Sequence, residues 1–200
     1  IENGKITADQ TKMGYVGAYP YAEVKSGYTS FFLGARSVCP SVTMEVKFTN
    51  SWFDIAAEKE TANALIADGC VLISQHADSE GAPKACEEAG VPNVAYNLDT
   101  REWGPNSALI SSKINWEPYF EHLVTSVTEG TQITQDFCGG LKEDVVQTLG
   151  LNDAVAAKGT KEKLGEVKAK LISGEIKVFD TSTFTVKGQT LTEYKAGVDT

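Results

Sequence analysis

Apolar runs are scarce in this chain of 200 residues, and none comes near the ~20 residues that a membrane-crossing helix needs. The longest candidates, around residues 31–33 and 71–73, are short. Positive charge is also scarce. Eighteen Lys and Arg stand against 27 Asp and Glu, a net charge of −9. A nucleic-acid binder needs a basic face to neutralise phosphates, so that partner class is excluded, and no basic patch suits an anionic lipid surface. Only four cysteines and two histidines are present. They form no CxxC pair and no Cys–His cluster at metal spacing, which argues against a structural zinc and gives no metal site. Cys39, Cys70 and Cys86 lie in apolar surroundings and read as buried small hydrophobes. A Cys70–Cys86 disulfide stays open for an exported protein. Also missing are GxGxxG and GxxxxGK[ST] after the first strand, a GxSxG elbow, and any evident Ser-His-Asp or Cys-His set. A dinucleotide cofactor, an NTP phosphate and nucleophilic hydrolysis are therefore disfavoured; no cofactor and no catalytic residue is expected.

What is present is ordinary globular chemistry, 42% hydrophobic and 22% charged, without repeats or low-complexity tracts. Short apolar runs alternate with helical patterns. Residues 13–18, 43–48, 71–74, 91–96 and 108–111 read as strands. Residues 22–38, 55–68 and a short segment ending at Ala89 read as helices. Asp54 is placed to cap the second helix, and Ser79 or Asp78 the third. Gly69 and Gly90 stand where left-handed C-caps belong. Right-handed crossovers turn this βαβ series into an open parallel sheet with helices on both faces, an α/β lobe. After Trp116 the pattern predicts a helix over 117–129, a polar passage to 140, a short apolar stretch over 141–150, and an amphipathic helix over 161–173. Residues 176–179 and 183–186 read as a small hairpin or strand pair.

Ligands of open parallel sheets bind beyond the carboxyl ends of the strands. The residues there are Tyr19, Tyr21 and Glu23 after the first strand, and Trp52, Phe53 and Asp54 after the second. Gln75, His76 and Asp78 follow the third, and Asn97 and Asp99 the fourth. Aromatic rings supply faces for stacking, and the amides and carboxylates supply directional donors and acceptors. We take Tyr19, Tyr21, Trp52, Phe53, Gln75, His76, Asp78, Asn97 and Asp99 as candidate ligand contacts. His76 is equally open to a structural role. Asp54 reads first as a helix cap, and Asp99, with no helix to cap, has the strongest claim among the carboxylates.

At these residues the chain resembles the basic membrane protein family of ABC-transporter solute-binding lipoproteins. The resemblance rests on KMGYVGAYPYAEVKSGYTSFFLGARSVCP (12–40), VKFTNSWFDIAAEKETANALIADGCVLISQHADSEGAP (46–83), VAYNLDTREWGPNSALISSKINWEPYF (94–120) and GEIKVFDTSTFTVKGQTL (174–191). It implies a type I periplasmic-binding-protein-like lobe that binds a purine base or nucleoside. It implies an ABC permease as partner and an extracytoplasmic location, periplasmic or at the cell surface, with a lipoprotein anchor outside this chain. The pair NSWFD and QHAD is similar to the subgroup associated with purine bases. Family members hold their ligand between two lobes. On that resemblance 1–116 is the C-terminal lobe, 117–140 a hinge-crossing helix and linker, and 141–200 a segment completing the N-terminal lobe, whose opening part precedes Ile1. The aromatic wall falls at Tyr19 and Tyr21. Val24 replaces a family aromatic, and a frequent lysine after the fifth strand is replaced near Ile114. Asp99 matches an acidic residue that addresses sugar or base. The expected role is binding without catalysis. The rivals are a ligand-sensing ectodomain of a membrane receptor and a nucleoside-processing enzyme.

Overall fold

The computed structural model describes residues 6–194. Its frame is a six-stranded sheet of order β2-β1-β3-β4-β5-β6. The strands are β1 (Lys12–Gly17), β2 (Thr43–Phe48), β3 (Leu72–Gln75), β4 (Asn93–Tyr96), β5 (Ala108–Ile114) and β6 (Val146–Leu149). The first five pair in parallel, and β6 runs antiparallel to β5. The helices are α1 (Ala22–Val38), α2 (Ile55–Ala67), α3 (Gly81–Ala89), α4 (Glu117–Glu129) and α5 (Thr160–Ser173). The α/β reading therefore holds, with a mostly parallel sheet flanked by helices.

Local chemistry sets the boundaries. Strand β1 is buried from Met13 to Gly17, as expected of a parallel strand covered on both faces. Helix α1 stops at Cys39, because the residue before Pro40 is pushed into extended conformation. The Asp54 carboxylate accepts the Ala57 N–H at 2.9 Å and caps α2. Gly90 and Gly130 close α3 and α4 in the left-handed conformation.

The main core lies where α2 and α3 cover the sheet. Val16, Leu65, Cys70, Ile73, Ala82, Ala85 and Cys86 meet there, each buried. The opposite layer is thinner: of α1 only Val24 is fully buried. Helix α4 shows an exposed stripe of Phe120, Val124 and Val127, continuous in sequence with exposed Trp116. Cys70 and Cys86 are both free, so no disulfide joins them; burial pushes the Cys86 thiol up to about 12. Cys39 differs from the buried reading, for its thiol is partly exposed and lies 3.4 Å from the hydroxyls of Thr11 and Ser41.

Three sequence expectations change. Strand β5 continues to Ile114 because Ser112 pairs with Tyr96 on one side and with Thr148 on the other. Residues 146–149, read from the sequence only as part of a short apolar stretch, form a strand that closes the open edge of β5. An unpaired edge offers a row of free N–H and C=O groups, and β6 satisfies them. The hairpin over 176–186 does not form, and the pairing in this region is a single bridge from Val186 to Gln189.

The strand order fixes where a ligand fits. The chain leaves β1 in one direction to make β2, then crosses back over β1 to make β3. Right-handed crossovers send α1 and α2 to opposite faces. The carboxyl ends of β1 and β3 flank this switch, where open α/β sheets leave a crevice.

Candidate ligand-binding site

A cleft of about 290 Å³ opens at that switch, lined by Glu23, Trp52, His76, Asp78, Tyr96, Asn97, Ile114 and Trp116. Every lining residue either ends a strand or follows one. A larger groove, about 720 Å³, lies between the second half of α1 and the segment from Val167 to Thr183. That half of α1 has already run back toward the strand starts, so it stands away from the crevice.

The cleft has aromatic walls. Tyr19 and Tyr21 stack with centroids 5.2 Å apart, and Trp52 leans on both, at 5.5 and 6.2 Å. His76 lies against Tyr96 at 4.4 Å and meets the edge of Trp52 at 6.3 Å. Its Nδ1 is 3.4 Å from the Tyr15 hydroxyl, and its Nε2 is 3.4 Å from Glu23 Oε1. Gly27 makes this packing possible, since a methyl group there would stand 2.9 Å from His76 Nδ1. Burial pushes the Tyr96 phenol up to about 12, helped by the charges of Glu23 and Asp78 beside it. Burial likewise raises Tyr15. Asn97 holds a left-handed backbone (φ 64°), and its amide donates to Asp78 Oδ1 at 3.3 Å. Among the described residues no lysine or arginine lines the cleft, so its polar rim is acidic.

Of the residues predicted from sequence, Trp52, His76, Asp78 and Asn97 are brought together in the cleft. Tyr19 and Tyr21 extend its wall through Trp52. Phe53 is 61% exposed and outside the lining. Gln75 is buried beneath the rim. Its amide donates to the carbonyls of Ala77 and Ser79 at 2.9 and 3.2 Å, so it shapes the turn from inside. Asp99 stands apart as well. Its carboxylate is taken up by Arg101 through both Nε and Nη2, which holds it well below the usual carboxylate range, and it packs under Gly150. Glu23, Tyr96, Ile114 and Trp116 complete the lining without having been chosen from sequence. Tyr96 and Ile114 are the last residues of β4 and β5, and that position was the available signal.

Residues 4–182 match the family of ABC transporter substrate-binding proteins described as PnrA-like. The chain belongs to that family.

Two curated relatives bracket the PnrA-like chain. A purine-binding protein of Brucella abortus is 33% identical over 198 residues, covering 97% of this chain and 55% of its own length. A putative ABC transporter glucose-binding protein of Haloferax volcanii is 33% identical over 183 residues, covering 90% of this chain and 46% of its own length. The chain thus spans about half the length of the curated relatives it matches. Among solved structures, an ABC transporter solute-binding protein of Conexibacter woesei superposes with a TM-score of 0.67 at 18% identity, covering 83% of this chain and 56% of that one. A transcriptional activator of the comK gene from Bacillus halodurans gives 0.69 at 16% identity, covering 86% and 59%. At such identities the two structures establish a shared fold and nothing about ligands.

Proposed function

We propose that this chain is the ligand-gripping lobe of an extracytoplasmic solute-binding protein that delivers a purine base or nucleoside to an ABC permease. The observation that carries the reading is the cleft at the β1/β3 switch. Flat rings of Trp52, His76 and Tyr96 stand beside the acidic and amide acceptors Glu23, Asp78 and Asn97. A planar heterocycle with ring N–H and amino donors satisfies both features, by stacking and by hydrogen bonding. A phosphorylated ligand does not, because among the described residues the rim offers two carboxylates and no cation. Among the described residues no Ser, Thr or Cys lines the cleft, and His76 is occupied by Tyr15 and Glu23, so the reading assigns binding without chemistry.

The second half of the reading concerns the rest of the protein. The exposed stripe at Trp116, Phe120, Val124 and Val127 is suited to packing against another lobe. Helix α4 then crosses the hinge, much of the chain beyond residue 141 serves both lobes, and closure around ligand presents a surface to the permease.

One specific observation favours a sugar instead: the Haloferax relative carries glucose in its name. Aromatic faces also stack on sugar rings, so a panel decides. Adenine, hypoxanthine, adenosine and glucose are titrated by calorimetry and thermal shift, which reads ligand binding as stabilisation of the folded state. The expected result is saturable stabilisation by at least one purine and none by glucose. Stabilisation by glucose alone, or turnover of adenosine, overturns the reading.

A further inference from the structure

Glu58 is fully buried in the first turn of α2, and no part of its side chain lines the cleft. Its Oε1 accepts the Asp54 N–H at 3.1 Å, and its two oxygens accept the Ser79 N–H at 3.3 and 3.1 Å. Asp54 ends the turn that carries Trp52, and Ser79 ends the turn that carries His76 and Asp78. One carboxylate therefore bridges two turns that both line the cleft. A second tie runs beside it, from the Asp78 N–H to the Trp52 carbonyl at 3.0 Å. Gly81 lets α3 start flush against this point, where any Cβ would run into the Ile55 carbonyl and stand 3.0 Å from Glu58 Cβ.

A buried carboxylate is costly unless it is hydrogen-bonded or paired. Among the described residues Glu58 has no cation. The charged groups around it are otherwise engaged: Lys59 pairs with Glu88 at 2.6 Å, and Lys84 with Glu80 at 3.3 Å. Asp54 is occupied with its own helix cap, and Asp78 adds like charge. Burial pushes the Glu58 carboxyl above the usual glutamate range, the N–H donors pull it back, and Asp78 pushes it further up. An apolar side chain of the same volume would leave the Asp54 and Ser79 N–H groups without this acceptor.

We propose that Glu58 is the positioning residue of this site: its carboxylate sets the spacing between the Trp52 turn and the His76–Asp78 turn. The ligand consequence rests on the binding reading given above. The bridge itself does not, because it is read from backbone amides. A carboxylate receives N–H donors on both oxygens, whereas the isosteric amide of glutamine presents a donor on one side. Glu58→Gln therefore keeps volume and weakens the hold on Ser79.

The test is nitrogen-15 NMR of the whole chain combined with hydrogen exchange and adenine titration. In the wild type the Asp54 and Ser79 amide resonances move together as the protein is acidified, reporting one shared group; in E58Q that shared movement is absent. Exchange protection of the Ser79 amide falls about tenfold in E58Q, while the amides of Leu65 and Ile73 in the core keep theirs. Adenine affinity falls about tenfold as well. Independent movement of the two wild-type amides overturns the proposal without recourse to any variant, as does unchanged protection of Ser79 or equal adenine affinity in E58Q. A wild type that binds no adenine instead sinks the purine reading, and the amide measurements then decide the role of Glu58 alone.

Discussion

Two glycines in α1 offer a comparison in which opposing forces are weighed within one helix. Gly27 and Gly34 lie seven residues apart on α1. Replacing either by alanine removes the backbone-entropy penalty of glycine in a helix, a gain of ~0.8–1.0 kcal/mol. At Gly34 an added methyl meets nothing within 4 Å, so that gain is expected in full. At Gly27 the same methyl stands 2.9 Å from His76 Nδ1 and 3.1 Å from the Tyr15 hydroxyl. His76 is wedged between Tyr15, Tyr96 and Trp52 and has little room to retreat. Overpacking of this kind costs ~1–3 kcal/mol, and weakening the Tyr15–His76 bond adds ~0.5–1 kcal/mol. The steric loss therefore exceeds the helix gain, leaving a net destabilisation of ~0.5–3 kcal/mol. For a chain of this size each kcal/mol moves Tm by about 2–4 °C. G34A should melt ~2–4 °C above the wild type and G27A at least ~1 °C below it. Urea unfolding followed by far-UV circular dichroism checks this, with equal m-values required for the comparison. Because G27A also displaces His76, purine affinity should fall in G27A and stay unchanged in G34A. A G27A protein as stabilised as G34A, with unaltered ligand affinity, refutes the reasoning and shows His76 free to shift.

The carboxylates at the strand ends separate by a second pair of substitutions. Asp78→Asn should weaken adenine binding about tenfold, whereas Asp99→Asn should change it less than about twofold and instead loosen Arg101; calorimetry on the two variants distinguishes them. Asn97 tests the turn chemistry: Asn97→Ala should cost ~1 kcal/mol, because alanine resists the left-handed backbone that asparagine tolerates, while Asn97→Gly should stay within a few tenths in urea unfolding. For Glu58 the sign follows from linkage. Its folded pKa lies above its free value of 4.5, so its contribution to stability is greatest in acid and is lost as pH rises through the folded value. The stability of E58Q relative to the wild type should therefore improve with rising pH across that window; a pH-independent difference in urea midpoints contradicts it.

Much of the fold was legible because the signals are local. The Asp54 cap, the terminators Gly90 and Gly130, and the stop before Pro40 act within a turn of where they stand. Five strands and the α1 and α4 boundaries follow from such signals together with apolar periodicity. Strand β6 was not legible, since Val146–Leu149 gains its conformation from the edge of β5, more than thirty residues earlier. The 176–186 hairpin failed for the converse reason. Two short alternating runs satisfy a pattern, but nothing in the sequence says whether a pairing edge or a covering face awaits them.

The site was legible as a place more than as a set of side chains. Topology assigns the crevice to the ends of β1 and β3, and the residues after those strands do line it. Which of two neighbours points inward is decided by partners that lie far away in sequence. Gln75 and His76 are adjacent, yet Gln75 turns under its own loop toward Ser79 while His76 reaches Tyr15 through the gap left by Gly27.

Asp78 and Asp99 show the same limit at the level of charge. Each is an aspartate just beyond a parallel strand, and from sequence Asp99 has the better claim because no helix follows for it to cap. The structure gives the two aspartates different internal partners, through contacts of different range. Arg101, only two residues on, chelates Asp99, and the left-handed Gly150 after β6 packs against the same carboxylate. Asp78 is left facing Asn97 and the cleft, with its charge felt at Tyr96 and Glu58. A carboxylate already satisfied by a guanidinium has little to gain from a ligand donor. One held by a single amide at 3.3 Å keeps lone pairs in reserve, so on the purine reading proposed above the aspartate with the weaker internal partner is the one expected to accept a ring N–H or amino group.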